Sequence, residues 1–339
     1  MGDEGIGRGA HLVGSLNVPD AEAAFRLAAD ALGERLARFP DGETGARREW
    51  VGAQMAAFLG LPDLELVPPA AGSYPPTPQL RLAAGAQPAD LEIGDLGIAD
   101  AALASFRVFR RLQAEGVLPG RARFQVGVPS PLAFLATRVA PESRGALAGP
   151  YLRALRAELG RIFEAVPAAL LAIQWELPVE VGMIEGVFDP AFVGGTAGLP
   201  AQVARLVDLV PEPAEVGLHF CYGDAGGRPF IRPTSLRVQV DLLRGALSAA
   251  GRKLTWAHLA VPAGCASPAF FAPLADLAAF DGELFLGLID ADAPGGAEDA
   301  IRQARAYRAD FGVATSCGLG RRGAGTLRAV LEAHCVHAA

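Results

Sequence analysis

The feature that most constrains the fold of this chain is the alternation of short apolar runs with longer amphipathic segments. The apolar runs predict eight strands, at residues 11–16, 35–43, 123–131, 171–178, 216–223, 253–261, 283–290 and 311–318. Segments with helical periodicity, such as "GPYLRALRAELGRIFEAV", lie between them. Strands that are apolar along most of their length and separated by helices indicate a parallel sheet covered on both faces.

Eight such units favour a closed (β/α)₈ TIM barrel over an open, doubly wound sheet. A chain of 339 residues fits one barrel, and we predict a single domain over residues 1–339. Residues 61–98, which follow the second predicted strand, are rich in proline and weakly periodic. This pattern predicts an excursion over the surface that forms part of a rim or lid.

Composition and charge exclude several classes of protein. The net charge is −7 and no dense cluster of Lys and Arg is present, which argues against a nucleic-acid-binding protein. The sequence has no uncharged apolar run of about 18 residues and no secretory signal pattern, so we expect a cytoplasmic protein without a membrane partner. Its 4 cysteines are widely and irregularly spaced, which is typical of buried, metal-binding or reactive thiols rather than a disulfide framework.

Polar side chains recur where the predicted strands end, which is where a (β/α)₈ barrel carries its chemistry. They are Ser15, Asp41, Glu43, Ser130, Glu176, His219, Cys221, His258, Asp290 and Cys317. Polar residues are common at the ends of strands, so each position alone is weak evidence for a functional role. Together these residues predict a functional site at the carboxyl ends of the strands.

His219 and Cys221, in the stretch "HFCYGD", are the most specific of these residues. Side chains two positions apart on a strand point to the same side, so both can reach one ion. Imidazole and thiolate are ligands of tetrahedral Zn²⁺, and Cys317 in "SCGLGRR" is the candidate third ligand, because strand ends converge over the mouth of a barrel. The alternative is that Cys221 and Cys317 are small buried hydrophobic residues.

"HFCYGD" followed far downstream by "SCGLGRR" resembles the zinc-binding barrel of cobalamin-independent methionine synthase, within the superfamily that includes uroporphyrinogen decarboxylase. The stretches "HLVGSLNVPD", "PDGETGARREWVG", "IQWELPVE" and "LGLIDADAPG" are similar to further motifs of that family, from about residue 10 to the C-terminus. The resemblance implies Zn²⁺ as the cofactor, held by His219, Cys221 and Cys317. It also implies transfer of a methyl or alkyl group to a thiol substrate activated as a thiolate.

Three residues are assigned to substrate binding by the same resemblance. Glu43 and Glu176 match carboxylates that serve the amino-acid thiol, and Ser15 lies in the motif of the first strand. The alternative for Glu43 is an acid that caps the helix beginning near Arg47. We expect the substrate to be a small thiol or a compound resembling an amino acid.

Two acidic residues are candidates for catalytic roles. Asp224, directly after the His219 and Cys221 motif, is interpreted as a proton shuttle or as a partner that orients His219. A loop acid in a glycine-rich turn is the alternative. Asp290 matches a family motif near the mouth of the barrel.

The sequence departs from the family pattern in two places. His258 stands where the synthases have a Glu ligand, and it is interpreted as a fourth zinc ligand, a nearby base, or a histidine satisfied at the end of its strand. "VGVPSPLAFL" lacks the Trp that follows this strand in folate-using members, so we do not expect a folate donor. A corrinoid protein that carries the methyl group is a candidate partner.

Two other functions remain as alternatives. One is a lyase of the same superfamily that decarboxylates its substrate or cleaves a carbon–sulfur bond. The other is a protein that binds metal or thiol without turnover.

Overall fold

The computed structural model describes residues 9–69 and 73–338. Its strands are β1 (Arg38–Pro40), β2 (Leu64–Val67), β3 (Gln79–Leu82), β4 (Arg123–Pro129), β5 (Leu171–Glu176), β6 (Glu215–Phe220), β7 (Trp256–Ala260), β8 (Glu283–Ile289) and β9 (Gly312–Thr315). Its α-helices are α1 (Ala21–Leu32), α2 (Trp50–Ala53), α3 (Ile98–Ala114), α4 (Pro131–Arg138), α5 (Arg144–Ala165), α6 (Pro178–Ile184), α7 (Leu199–Asp208), α8 (Arg237–Ala249), α9 (Pro268–Phe271), α10 (Glu298–Arg305) and α11 (Ala324–His337).

The main sheet has seven strands in the order β1-β4-β5-β6-β7-β8-β9, and all neighbours pair in parallel. Spatial order follows chain order, because each helical crossover returns the chain beside the strand that it left. The sheet is curled, with helices between successive strands. The predicted parallel α/β architecture is therefore confirmed: six of the seven strands fall within predicted strand segments, and β6 begins one residue before its predicted segment.

Residues 11–16, predicted as the first strand, form no continuous ladder; together with Ala10 they make isolated parallel bridges to both edges of the sheet. Ala10 bridges Leu36 and Val313, while Leu16 bridges Leu319. The side-chain amide of Gln125 donates to the carbonyl oxygens of Leu12 and Val13, each at 3.0 Å. Because these two carbonyl oxygens accept hydrogen bonds from a side chain, they do not pair with a neighbouring strand. The segment therefore has isolated bridges rather than a continuous ladder of backbone hydrogen bonds.

The second predicted strand, at 35–43, is shorter than expected, because its carboxyl end turns. Gly42 and Glu43 have φ angles of 79° and 45°, in the left-handed region that ends extended backbone. β1 consequently covers three residues. The turn brings Glu43 to the carboxyl end of the sheet.

The Pro-rich segment contains a small sheet that the sequence pattern did not predict. β2 and β3 pair antiparallel, and Leu80 in β3 is 2% exposed and bridges Val139. Between the two strands, the Tyr74 hydroxyl accepts a hydrogen bond from the backbone N–H of Ala225 at 2.7 Å. The segment therefore reaches the loop after β6, in agreement with the predicted rim.

An ion network centred on buried Arg38 lies at the amino ends of the strands. The Arg38 guanidinium, 4.2 Å from the centroid of the Trp256 ring, pairs with Glu215 at 2.5 Å and also with Glu283. Trp256, Ala172, Phe285 and Ala314 form a small buried cluster, separate from the large core that extends from Ala10 to Ala338. None of the described helices has the length and apolar character needed to cross a membrane.

Candidate metal and substrate site

Three neighbouring strands bring polar side chains side by side at their carboxyl ends. Glu176 in β5 is in register with His219 in β6, and His219 is in register with His258 in β7. Residues in register on parallel strands direct their side chains to the same face of the sheet. His219 Nε2 lies 3.5 Å from Glu176 Oε2.

A group that could hold a metal ion consists of His219, Cys221 and Cys317, whose ligand atoms all lie within 4.8 Å of one another. The two Sγ atoms are 3.6 Å apart, although the cysteines are 96 positions apart in the sequence. The backbone N–H of Gly223 donates to the Cys221 sulfur at 3.1 Å. Both halves of the candidate zinc site therefore meet in the folded chain.

The chemistry of this donor set fits Zn²⁺. Burial and the nearby His258 hold the pKa of His219 well below its usual value, so its imidazole is neutral, and its Nε2 is buried without a hydrogen bond. A hydrogen bond with Cys221, together with burial, raises the pKa of the Cys317 thiol well above its usual value. A cation bound here would lower the pKa of the Cys317 thiol again. It would also bind His219 Nε2, which has no hydrogen-bond partner.

His258 contacts His219 directly. Their Nδ1 atoms are 2.6 Å apart, and both rings are fully buried. Desolvation lowers the pKa of His258 to about 3, so both rings are neutral and can share one N–H hydrogen bond. This contact orients the His219 ring and engages its Nδ1.

Two buried residues that the sequence interpretation did not single out, His11 and Gln174, continue the polar layer beneath this group. His11 Nε2 lies 2.7 Å from Gln174 Oε1, and Gln174 Nε2 donates to Glu176 Oε1 at 2.6 Å. The His11 and His258 ring centroids are 5.7 Å apart. Polar residues inside otherwise apolar runs were the sequence signal that could have identified them.

Glu43 and Glu176 form an acidic pocket in the same region. Burial, followed by the charge of Asp41, raises the pKa of Glu43 to about 7. Burial and the charge of Glu43 raise the pKa of Glu176 well above its usual value. A Cβ at Gly14 or Gly127 would lie 2.6 or 2.8 Å from Glu43 Oε1, so both glycines are needed for this close approach.

Ser15 lies against the loop that follows β9. Its hydroxyl accepts a hydrogen bond from the N–H of Gly320 at 3.2 Å, and its carbonyl accepts one from Leu319 at 2.7 Å. A Cβ on Gly318 would approach the Ser15 hydroxyl to 2.2 Å. These contacts connect Ser15 to the loop that carries Cys317.

Asp224 and Asp290 line a second cleft of about 650 Å³ that also reaches Cys221 and Cys317. The Asp224 carboxylate lies 3.6 Å from Arg321 and 3.8 Å from Arg322, and burial raises its pKa despite the two arginines. Asp290 accepts a hydrogen bond from the N–H two residues further on, at 2.9 Å. The two arginines of the "CGLGRR" turn are thus engaged in ion pairs.

No family model and no curated protein matches the chain. Solved structures do match it. A B12-independent methionine synthase from Shewanella sp. W3-18-1, in complex with selenomethionine, has a TM-score of 0.62 and 15% identity, covering 98% of this chain and 97% of that one. A putative vitamin-B12 independent methionine synthase from Listeria monocytogenes has a TM-score of 0.54 and 14% identity, covering 94% and 86%.

A methyltransferase from Methanosarcina mazei also matches, with a TM-score of 0.54 and 15% identity, covering 98% of this chain and 94% of that one. At such low identity the likeness concerns the fold alone. The predicted resemblance to cobalamin-independent methionine synthase is therefore confirmed for the fold alone.

Proposed function

We propose that this protein is a zinc-dependent enzyme that transfers a methyl or alkyl group to a thiol. The observation that carries the proposal is the meeting of His219, Cys221 and Cys317 within 4.8 Å. The carboxyl group of Glu176 lies beside this group, 3.5 Å from His219, and that of Glu43 lies near Glu176. We further propose that residues 10–16 take the place of the eighth strand and close the seven-stranded sheet into a barrel. We also propose that the chain forms one domain.

The proposed metal ligands are His219, Cys221 and Cys317. Zinc in this position would lower the pKa of an incoming thiol, so that it is present as a thiolate at neutral pH. His258 acts as a positioning residue, because its hydrogen bond to Nδ1 orients the His219 ring. These three residues would hold the ion and would leave it able to bind the sulfur of the substrate.

The substrate is proposed to be an amino-acid thiol whose ammonium group contacts Glu43 and Glu176. These carboxylates have raised pKa values in the folded protein, and a bound cation would stabilise their ionised forms. Ser15 is proposed to hold the first segment at this pocket. Holding the thiolate and the donor in line would supply most of the rate enhancement through proximity and orientation.

Asp224 and Asp290 keep their proposed catalytic roles on the cleft that reaches the two cysteines. The raised pKa of Asp224 favours proton transfer by this carboxyl group. A corrinoid protein as methyl donor stays a prediction, and no contact of the described residues supports it.

The proposal is tested by measuring the metal content of purified protein by mass spectrometry, together with Cys317→Ser. We expect about one zinc per chain in the wild type and loss of zinc in the variant, because a hydroxyl replaces a thiolate ligand. Cys265→Ser, at a cysteine outside the group, is the matched control and should retain zinc. Wild-type protein that takes up no zinc even when zinc is supplied would overturn the proposal.

A further inference from the structure

A smaller cavity of about 120 Å³ lies on another side of the two thiols. We call it the aromatic cavity, because Tyr74, Phe188 and Phe230 line it. Cys221 and Cys317 form part of its wall. A molecule bound there would lie next to the two cysteines that belong to the proposed zinc site.

The ring of Phe230 is nearly perpendicular to the rings of both Tyr74 and Phe188. The Phe230 centroid is 5.7 Å from that of Tyr74 and 5.5 Å from that of Phe188, with interplanar angles of 79° and 78°. Aromatic faces attract cations, and groups of such rings are typical binding sites for onium ions. The carboxyl groups of Glu49, Glu176 and Asp224 line the same cavity, together with the guanidinium of Arg321.

Arg138, at the end of α4, also lines the aromatic cavity and lacks an acidic partner. It is 6% exposed, one of its terminal nitrogens contacts the Thr77 hydroxyl, and its Nε has no hydrogen bond. Within the described ranges, no carboxylate forms an ion pair with it, and Glu49, which lines the same cavity, acts on it electrostatically without a direct contact being recorded. A buried guanidinium without a counter-charge is costly, and its planar fork fits a carboxylate.

Resting on the function proposed above, we propose that the alkyl donor is a small zwitterion with a methylated onium group and a carboxylate. The sulfonium or quaternary ammonium group would lie among the three aromatic rings, and the carboxylate would bind Arg138. A volume of about 120 Å³ is below the range of about 300–1,000 Å³ that is typical of sites for larger ligands. This size favours a compact donor.

The transfer balances without any further reactant. The thiolate sulfur of the acceptor attacks the methyl carbon and forms a carbon–sulfur bond. The bond from that carbon to the onium atom breaks, and its electron pair stays on the sulfur or nitrogen. The onium atom becomes an uncharged sulfide or tertiary amine, and the leaving molecule keeps its carboxylate, so the single negative charge brought by the thiolate is carried away on the leaving molecule.

The inference is tested by isothermal titration calorimetry of the full chain, with glycine betaine and dimethylsulfonioacetate as probes. 3,3-Dimethylbutanoate keeps the shape and the carboxylate of betaine but has no positive charge, whereas choline keeps the charge but has no carboxylate. We expect the protein to bind at least one of the two zwitterions. Each analogue that lacks one of the charges should bind to the protein at least about tenfold more weakly than that zwitterion.

The protein variants separate the two halves of the cavity. Arg138→Met should weaken binding of the zwitterion about tenfold to a hundredfold, because a charge-assisted hydrogen bond is lost. Phe230→Leu should weaken it about threefold to thirtyfold, while binding of 3,3-dimethylbutanoate changes much less. Arg156→Met, at an exposed arginine of α5, is the control and should bind as the wild type does.

Absence of binding by both zwitterions, or equal binding of 3,3-dimethylbutanoate and betaine, would overturn the inference. If Arg138→Met does not fold, the inference is still tested by comparing the zwitterions with their singly charged analogues on the wild-type protein, and by the Phe230→Leu variant. Thiol methylation with methylcobalamin or methyl iodide is measured in parallel, because neither donor is a zwitterionic onium compound. Zinc-dependent product from these donors without onium binding would refute the donor class and leave the proposed function standing.

Discussion

Glu43 connects the stability of the fold to its proposed chemistry. Burial and Asp41 raise its pKa from 4.5 to about 7, so the folded chain holds a proton that the unfolded chain releases. Ionised Glu43 therefore destabilises the folded state. This cost is small below pH 4.5, grows between pH 4.5 and 7, and is complete above pH 7.

We predict that Glu43→Gln stabilises the metal-free protein at pH 8 but much less at pH 5. From the two pKa values, the gain at pH 8 should exceed that at pH 5 by about 2 to 3 kcal/mol. The free energy of unfolding is measured by urea denaturation at both pH values. Glu92→Gln, at an exposed glutamate, is the control, and a gain for Glu43→Gln that does not depend on pH would contradict the prediction.

His258 acts on the proposed zinc site through a single hydrogen bond. His258→Phe keeps a ring in this buried position but removes the partner of His219 Nδ1. We expect zinc affinity, measured by competition with a chelating dye, to fall by about tenfold to a hundredfold. The zinc stoichiometry at saturation should stay near one, and the nitrogen coordination seen by X-ray absorption should not change. Loss of a nitrogen ligand would instead identify His258 as a ligand.

At the scale of elements, the pairing of β6 with β7 depends on one glycine. Gly217 is in register with Trp256, and a Cβ on Gly217 would lie 1.9 Å from an atom of the indole ring. The fully buried indole therefore needs the space that glycine leaves on the neighbouring strand. Shape complementarity between the two strands thus depends on this position.

We predict that Gly217→Ala lowers the free energy of unfolding by about 3 kcal/mol, because the buried indole must shift. The change is measured by urea denaturation monitored by Trp fluorescence. Gly145→Ala, at a helical glycine with open space around its Cβ position, should be neutral or slightly stabilising. Equal stability of the two alanine variants would refute the steric argument.

The elements differ in how far the sequence predicts them. The strands from β4 to β9 fall within apolar runs, because burial on both faces leaves a continuous apolar signal. Residues 10–16 look the same in sequence but form only bridges, because Gln125 binds the carbonyls of Leu12 and Val13. The β2–β3 pair was not predicted, since pairing of short strands in a Pro-rich segment depends on distant contacts.

At the scale of the whole molecule, the two ends of the sheet serve different purposes. Buried Arg38 and the partly buried Glu215 and Glu283 form an ion network at the amino ends of the strands, while the candidate zinc ligands lie at the carboxyl ends. In TIM barrels, the amino-terminal face contributes to stability and the carboxyl-terminal face carries the chemistry, and we expect the same division in this parallel sheet. The two ends should therefore respond differently to mutation.

We predict that Arg38→Met lowers the free energy of unfolding by about 2 to 3 kcal/mol, because two partly buried carboxylates lose their partner. Arg123 still pairs with Glu215 at 2.8 Å, which limits the loss. Zinc content per folded chain, measured by mass spectrometry, should stay unchanged. Arg302→Met, which breaks an exposed pair with Asp299, should change stability by less than about 1 kcal/mol. Loss of zinc in folded Arg38→Met would show that the two ends are coupled.

Local sequence patterns are sufficient to predict the parallel α/β architecture, the placement of His219 and Cys221 on the same side of one strand, and the polar residues at strand ends. These follow from local periodicity and spacing, which the chain carries without reference to distant partners. Only the tertiary structure decided that Cys317 lies 3.6 Å from Cys221 and that His258 contacts His219. It also decided that Arg138 lines the same cavity as three aromatic rings from separate segments. The physical reason is that strand register and sheet curvature, set by packing across the whole core, decide which side chains meet.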